Sequence, residues 1–244
     1  MFTIEERDRV RDRVLELASA DERVVAAAVV GSLAHGEGDE WSDLDLTFGV
    51  ADGVPVAEVL DDFTRVVVED FDAVTLVDLE RGGTTYRVFL LPDWLQVDLS
   101  FTPAADFRQG SPRFRLVFGT HKVDHPPPPS ADDLFGWAVV FARHARVCVE
   151  RRRWWQAEHM ISTVRDNGLA LACLHRGLPA GYGRGFDDLP AEVLEDFEGA
   201  VVRSLDREEL LRALEVVVEG LLRHADESRQ LAAKVEPQLR ELTS

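Results

Sequence analysis

Cysteine, lysine and long apolar runs are all scarce in this chain of 244 residues. The two cysteines, Cys148 and Cys173, lie in apolar stretches of helical periodicity and have no metal-ligand spacing. That excludes a disulfide framework and a cysteine-built zinc site, and leaves two reduced core thiols. No apolar run approaches the ~20 residues that span a bilayer, so no transmembrane helix is expected. The opening MFTIEERDRV is charged and has no apolar centre; it is not read as a secretory signal, and a cytoplasmic protein is expected. Basic residues are outnumbered, 27 Lys and Arg against 45 Asp and Glu, for a net charge of −18. Only Lys122 and Lys234 are lysines, and the one basic cluster is Arg151-Arg152-Arg153. Such a field repels nucleic acid, whose binding depends on neutralising phosphates, and draws in small cationic molecules. With 45% hydrophobic residues, the chain has enough apolar surface for one large domain or two small ones.

What is present is an acidic constellation. Asp43-Leu44-Asp45 closes a stretch that begins with the apolar run Val24–Val30 and passes through Gly31-Ser32. Two carboxylates at i and i+2 of a strand share a face, with Leu44 turned to the core. Like charges held side by side are costly unless a cation lies between them, which points to a divalent metal. The small Gly31-Ser32 turn offers backbone N–H groups and a hydroxyl, the donors a phosphate chain needs. Metal and phosphate together suggest chemistry on a nucleoside triphosphate. A third carboxylate, Asp98, sits in the alternating strand WLQVDLSF, with Gln96 and Ser100 on its face and Leu95, Val97 and Leu99 on the other. If that strand lies beside Asp43–Val50, Asp98 joins Asp43 and Asp45.

The element pattern changes once along the chain. An amphipathic helix carrying Val10, Val14, Leu15 and Leu17 opens it, followed by strands over 24–30 and 43–50 that pair with each other. A helix is expected over 55–71, started by Pro55. Strands follow over 73–79, 84–91 and 94–101, with turns at Arg81-Gly82-Gly83 and Pro92-Asp93. Four prolines, Pro126 to Pro129, make a stiff spacer. Beyond it the periodicity is helical: 132–152, 154–176, 190–204, 207–224 and 227–242, with Asp206 as an N-cap and Gly177 and Pro179 as a stop. The expected class is α+β. A small mixed β-sheet domain with flanking helices fills residues 1–125, a proline-rich linker 126–130, and an all-α bundle 131–244.

Gly-Ser, a spacer of about ten residues, Asp-x-Asp among apolar neighbours and a later Asp inside an apolar strand together resemble the nucleotidyltransferases of the DNA polymerase β superfamily. The similarity is greatest to the branch acting on aminoglycosides and lincosamides, in which a small catalytic domain precedes a helical one. It covers roughly residues 20 to 120. GSLAHG (Gly31 to Gly36) and SDLDL (Ser42 to Leu46) carry it, with Leu33 and His35 standing where that family often has an arginine.

The resemblance implies transfer of a nucleoside monophosphate, AMP by the family's habit, from ATP to a hydroxyl of a small acceptor, releasing pyrophosphate. In that reading Asp43 and Asp45 hold one or two Mg2+ ions. Asp98 is a further ligand, the general base, or both, while Gly31 and Ser32 take the phosphates. On the helix over 154–176, Glu158 or Asp166 would receive an amine-bearing acceptor and Arg165 the triphosphate; a merely solvated or interdomain face fits the same residues. Trp154-Trp155 fit either stacking on a ring or the core. An antibiotic-modifying role and a homodimer sharing its cleft belong to the same branch. Two other classes compete. A protein-modifying adenylyltransferase of antitoxin type resembles only a minimal catalytic domain, which the long helical half opposes. A nucleotide-binding module without catalysis has no need to retain three clustered acids.

Overall fold

A computed structural model describes residues 1–124, 127 and 129–243. His125 and, within the proline spacer, Pro126 and Pro128 therefore lie outside the described residues. The chain divides into two compact units, Met1–Pro127 and Pro128–Ser244, which together make an α+β protein with a mixed sheet first and helices after it.

The first unit is built on one six-stranded sheet. Its elements are α1 (Ile4–Ala20), β1 (Val24–Val30), β2 (Leu44–Val50), α2 (Val56–Phe71), β3 (Val74–Arg81), β4 (Thr84–Leu90), β5 (Gln96–Pro103) and β7 (Phe114–Phe118), with the short strands β6 (Arg108–Gln109) and β8 (Lys122–Val123) paired beside them. The strand order is β3-β4-β5-β2-β1-β7. All pairings in the large sheet are antiparallel except β2 with β5. Alternation sorts the faces. Leu44, Leu46 and Phe48 of β2 and Val97, Leu99 and Phe101 of β5 join Val10 and Val14 of α1 and Phe63 and Val67 of α2 in the main core. Phe48, Phe63 and Phe101 meet there with ring centroids 4.8–5.5 Å apart. Both long helices thus cover one face. The opposite face carries a small cluster over the β1 end, Ala26, Ala28, Phe107 and Phe114, and the acids.

Local chemistry explains the boundaries. Thr3 and Glu6 form a reciprocal capping box at the start of α1. Gly82 and Gly83, both at positive φ, turn the β3–β4 hairpin. The expected strand over 94–101 begins later, at Gln96, because Asp93 and Trp94 adopt left-handed φ values of 60° and 70° in a tight turn. The strand β7 was not anticipated; it extends the sheet along β1.

The second unit comprises α3 (Ala131–Glu150), α4 (Trp154–His175), α5 (Ala191–Glu198), α6 (Arg207–Arg223) and α7 (Arg229–Thr243). The helix expected over 190–204 stops at Glu198, with Gly199 against Val216. Asp206 caps α6 by accepting from the Glu209 amide at 3.0 Å. Gly168 of α4 faces the ring of Phe197, where a Cβ would lie 2.6 Å from Cε1. Cys148 and Cys173 are buried free thiols in this core. No helix among the described residues is long and apolar enough to cross a membrane.

Candidate active site

The parallel pairing of β2 with β5 sets Asp45 directly beside Asp98. Asp43 lies one residue before β2 and two before Asp45. A carboxylate oxygen from each of the three lies within 4.8 Å of the others. Asp45 and Asp98 are half-buried. Burial raises the proton affinity of Asp98 above the ordinary carboxylate range. The Gln96 amide, donating to both of its oxygens at 3.0 and 3.1 Å, pulls the other way, and the Asp43 charge raises it further. Three carboxylates converging in a partly dry site are a poor arrangement for one another and a good one for a hard divalent cation, which takes oxygen ligands. The donor set fits Mg2+.

The turn after β1 is fitted to the same cluster. Val30 pairs with Asp45 across β1 and β2. The next residue, Gly31, has φ +71°, and a Cβ there would lie 2.2 Å from Asp45 Oδ2. Only glycine accommodates both the left-handed backbone and the carboxylate. The Gly31 N–H donates to the Arg113 carbonyl at 3.2 Å, so this amide is not one of the donors the sequence suggested for phosphate. Ser32 lies in the first turn of a short 3-10 helix over Gly31–His35, where backbone N–H groups have no acceptor within the helix. The loop is tied to β7: Arg115 Nε donates to the Ala34 carbonyl at 3.0 Å, and His35 Nε2 donates to the Pro112 carbonyl at 2.9 Å.

Arg7 is a residue that sequence reasoning passed over. It is 3% exposed, and its Nη1 donates to the carbonyls of Asp39 (2.5 Å) and Ser42 (3.0 Å). Asp39 and Ser42 also fold on each other, the Ser42 hydroxyl donating to Asp39 Oδ1 at 2.9 Å and accepting from the Asp39 amide at 3.0 Å. Arg7 thereby anchors the segment that delivers Asp43. The signal was in the spacing: Arg7, Val10, Val14 and Ala18 form the buried stripe of α1. Replacing Arg7 by Met is expected to leave the two carbonyls short of a donor and lower unfolding free energy by about 1–3 kcal/mol. Urea denaturation of the two proteins checks this.

The helical candidates all lie on α4, in the second unit. Glu158 accepts a hydrogen bond from the Ser162 hydroxyl at 2.7 Å. Arg165 and Asp166 are brought together as an ion pair, Nη2 to Oδ1 2.9 Å. Asp166 and Asn167 line an open pocket of about 430 Å³ with Ala170, Ala180, Tyr182 and Phe186. Trp154 packs on the helical core, whereas Trp155 is 78% exposed.

No protein-family model matches the chain, and neither does any curated protein. Among solved structures it aligns with an aminoglycoside 6-adenyltransferase from Bacillus subtilis, at a TM-score of 0.41 and 15% identity, over 95% of this chain and 96% of that one.

Proposed function

We infer that this protein is a Mg2+-dependent nucleotidyltransferase that moves a nucleoside monophosphate from a nucleoside triphosphate to the hydroxyl of a small molecule. The observation that carries the reading is the convergence of Asp43, Asp45 and Asp98 within 4.8 Å beside a glycine turn shaped around Asp45. Asp43 and Asp45 hold the metal, with Asp98 as a further ligand. Bound there, Mg2+ supplies charge neutralisation for the triphosphate oxygens and acidifies an acceptor hydroxyl. Asp98 accepts the proton of that hydroxyl. The hydroxyl oxygen bonds to the α-phosphorus, the bridging bond to the β-phosphate breaks, and pyrophosphate leaves. Ser32 binds the β- and γ-phosphates through its hydroxyl and backbone amide. Gln96, donating to both Asp98 oxygens, fixes the orientation of the base.

ATP is the donor in this reading. A net charge of −18 favours a cationic acceptor of the aminoglycoside or lincosamide kind. Thermal unfolding with ATP, GTP, CTP and UTP, each with and without Mg2+, tests the core of the proposal. At a hundredfold excess over Kd the true donor should stabilise the protein by about 2.7 kcal/mol, and only when Mg2+ is present. Pyrophosphate release across aminoglycoside and lincosamide panels then identifies the acceptor. Absence of any divalent-dependent nucleotide effect would overturn the reading.

A further inference from the structure

The sheet face that carries the acids continues past them into an apolar surface. Cross-strand partners share a face, so one row runs Val30, Asp45, Asp98, Val88, Val77 across β1, β2, β5, β4 and β3. The next row runs Ala28, Thr47, Ser100, Tyr86, Leu79. On the other side of the first row, Gln96, Leu90 and Val74 follow the same pattern. Beyond Asp98 the face is therefore made of Val74, Val77, Leu79, Tyr86, Val88 and Leu90.

The polarity of β3 is inverted relative to a strand that serves its own core. Its residues on the helix-covered face are Thr75, Asp78 and Glu80, the partners of Phe89, Arg87 and Thr85. Asp78 there holds Arg87 at 2.6 Å, and Arg87 reaches Asp61 and Thr64 of α2 at 3.0 and 2.8 Å. The apolar set points away from that core. Val74, Val77 and Leu79 are 60%, 55% and 57% exposed, and Tyr86 is 37% exposed. A cluster of exposed aliphatic side chains on one sheet face marks a binding surface rather than a packing need.

Position tells what it binds. Across the sheet the order is the Gly31-Ser32 turn after β1, Asp45 on β2 with Asp43 just before it, Asp98 on β5, then the shelf on β4 and β3. The triphosphate belongs to the turn side, so the acceptor approaches from the shelf side. Strands are about 4.8 Å apart, which places Val88 one strand and Val77 two strands from Asp98. We propose that this shelf is the acceptor subsite, and that the acceptor is amphipathic: a hydroxyl at Asp98 with an apolar flank of roughly 5–10 Å lying over Val88, Val77 and Leu79. This rests on the nucleotidyltransferase reading and narrows its substrate class, away from acceptors that are polar on every side.

Hexyl glucoside and methyl glucoside offer the same sugar hydroxyls with different apolar tails. In protein carrying labelled Val and Leu methyl groups, and in the presence of Mg2+ and ATP, hexyl glucoside is expected to shift the Val77, Leu79 and Val88 methyl resonances. Its apparent Kd should lie about tenfold or more below that of methyl glucoside. The double variant Val77→Thr, Leu79→Thr puts β-branched, strand-compatible side chains at two exposed strand positions; it should erase the difference between the two glucosides and leave the Mg2+-dependent thermal shift with ATP unchanged. Equal binding of the two glucosides to the wild type, or an undiminished preference in the variant, overturns the proposal. So does a wild-type dimer, seen by sedimentation, that the same substitutions dissociate, because the shelf then belongs to a second copy. Loss of the ATP effect in the wild type itself is a separate result and strikes the nucleotidyltransferase reading instead.

Discussion

Asp45→Asn should leave a folded protein with no Mg2+-dependent nucleotide binding and turnover reduced at least about a thousandfold. Asp45 links the three acids: it follows Asp43 by two residues, pairs in register with Asp98, and its carboxylate fills the space in front of Gly31. The amide keeps the shape and removes the charge, so the effect reads out electrostatics rather than packing. Asp98→Asn should resemble Asp45→Asn in turnover, because the neutral amide cannot accept the acceptor's proton. Calorimetric titration of ATP with and without Mg2+, together with pyrophosphate release, separates binding from chemistry. Wild-type turnover in Asp45→Asn would remove the basis of the mechanism.

The acids were legible because strand periodicity is a strict constraint. Val24–Val30 reads as a strand from composition alone and folds as one with those bounds. The alternation of WLQVDLSF separates Asp98 from its apolar neighbours, and the structure then supplies the one fact alternation lacks, that β5 lies parallel to β2 in the register that aligns Asp98 with Asp45. Residues whose role depends on partners far along the chain were less legible. Phe114–Phe118 is only five residues long, and its identity as a strand comes from the open edge of β1. The use of the Gly31 amide depends on where the backbone of Arg113 falls. Arg7 looks like one more surface charge until the 39–42 turn closes over it. The apolar residues of β3 were read as ordinary strand residues; their direction, away from the helices, follows from the pairing with β4 and a register shift between Thr75 and Val77 that no sequence pattern reveals.

Gly31→Ala is the sharpest test of how the turn and the three acids are fitted together. Two costs coincide at this position. The backbone sits at φ +71°, a region that costs an L-residue about 1–2 kcal/mol. The added methyl would also stand 2.2 Å from Asp45 Oδ2, closer than any stable contact, so the carboxylate or the turn must move. Gly36 separates the two effects. It lies in the same loop at φ +75° and a Cβ there meets nothing within 4 Å. Gly36→Ala should therefore pay only the backbone cost and keep Mg2+-dependent nucleotide binding near the wild-type level. Gly31→Ala should match its stability loss or exceed it, weaken nucleotide binding at least about tenfold, and lower turnover about a hundredfold, the effect of displacing a reactive geometry by an ångström. Denaturant unfolding and nucleotide titration of both variants, side by side, measure the difference. If the two alanines behave alike in binding and turnover, the contact between the turn and Asp45 has no functional consequence, and the glycine serves only to bend the chain.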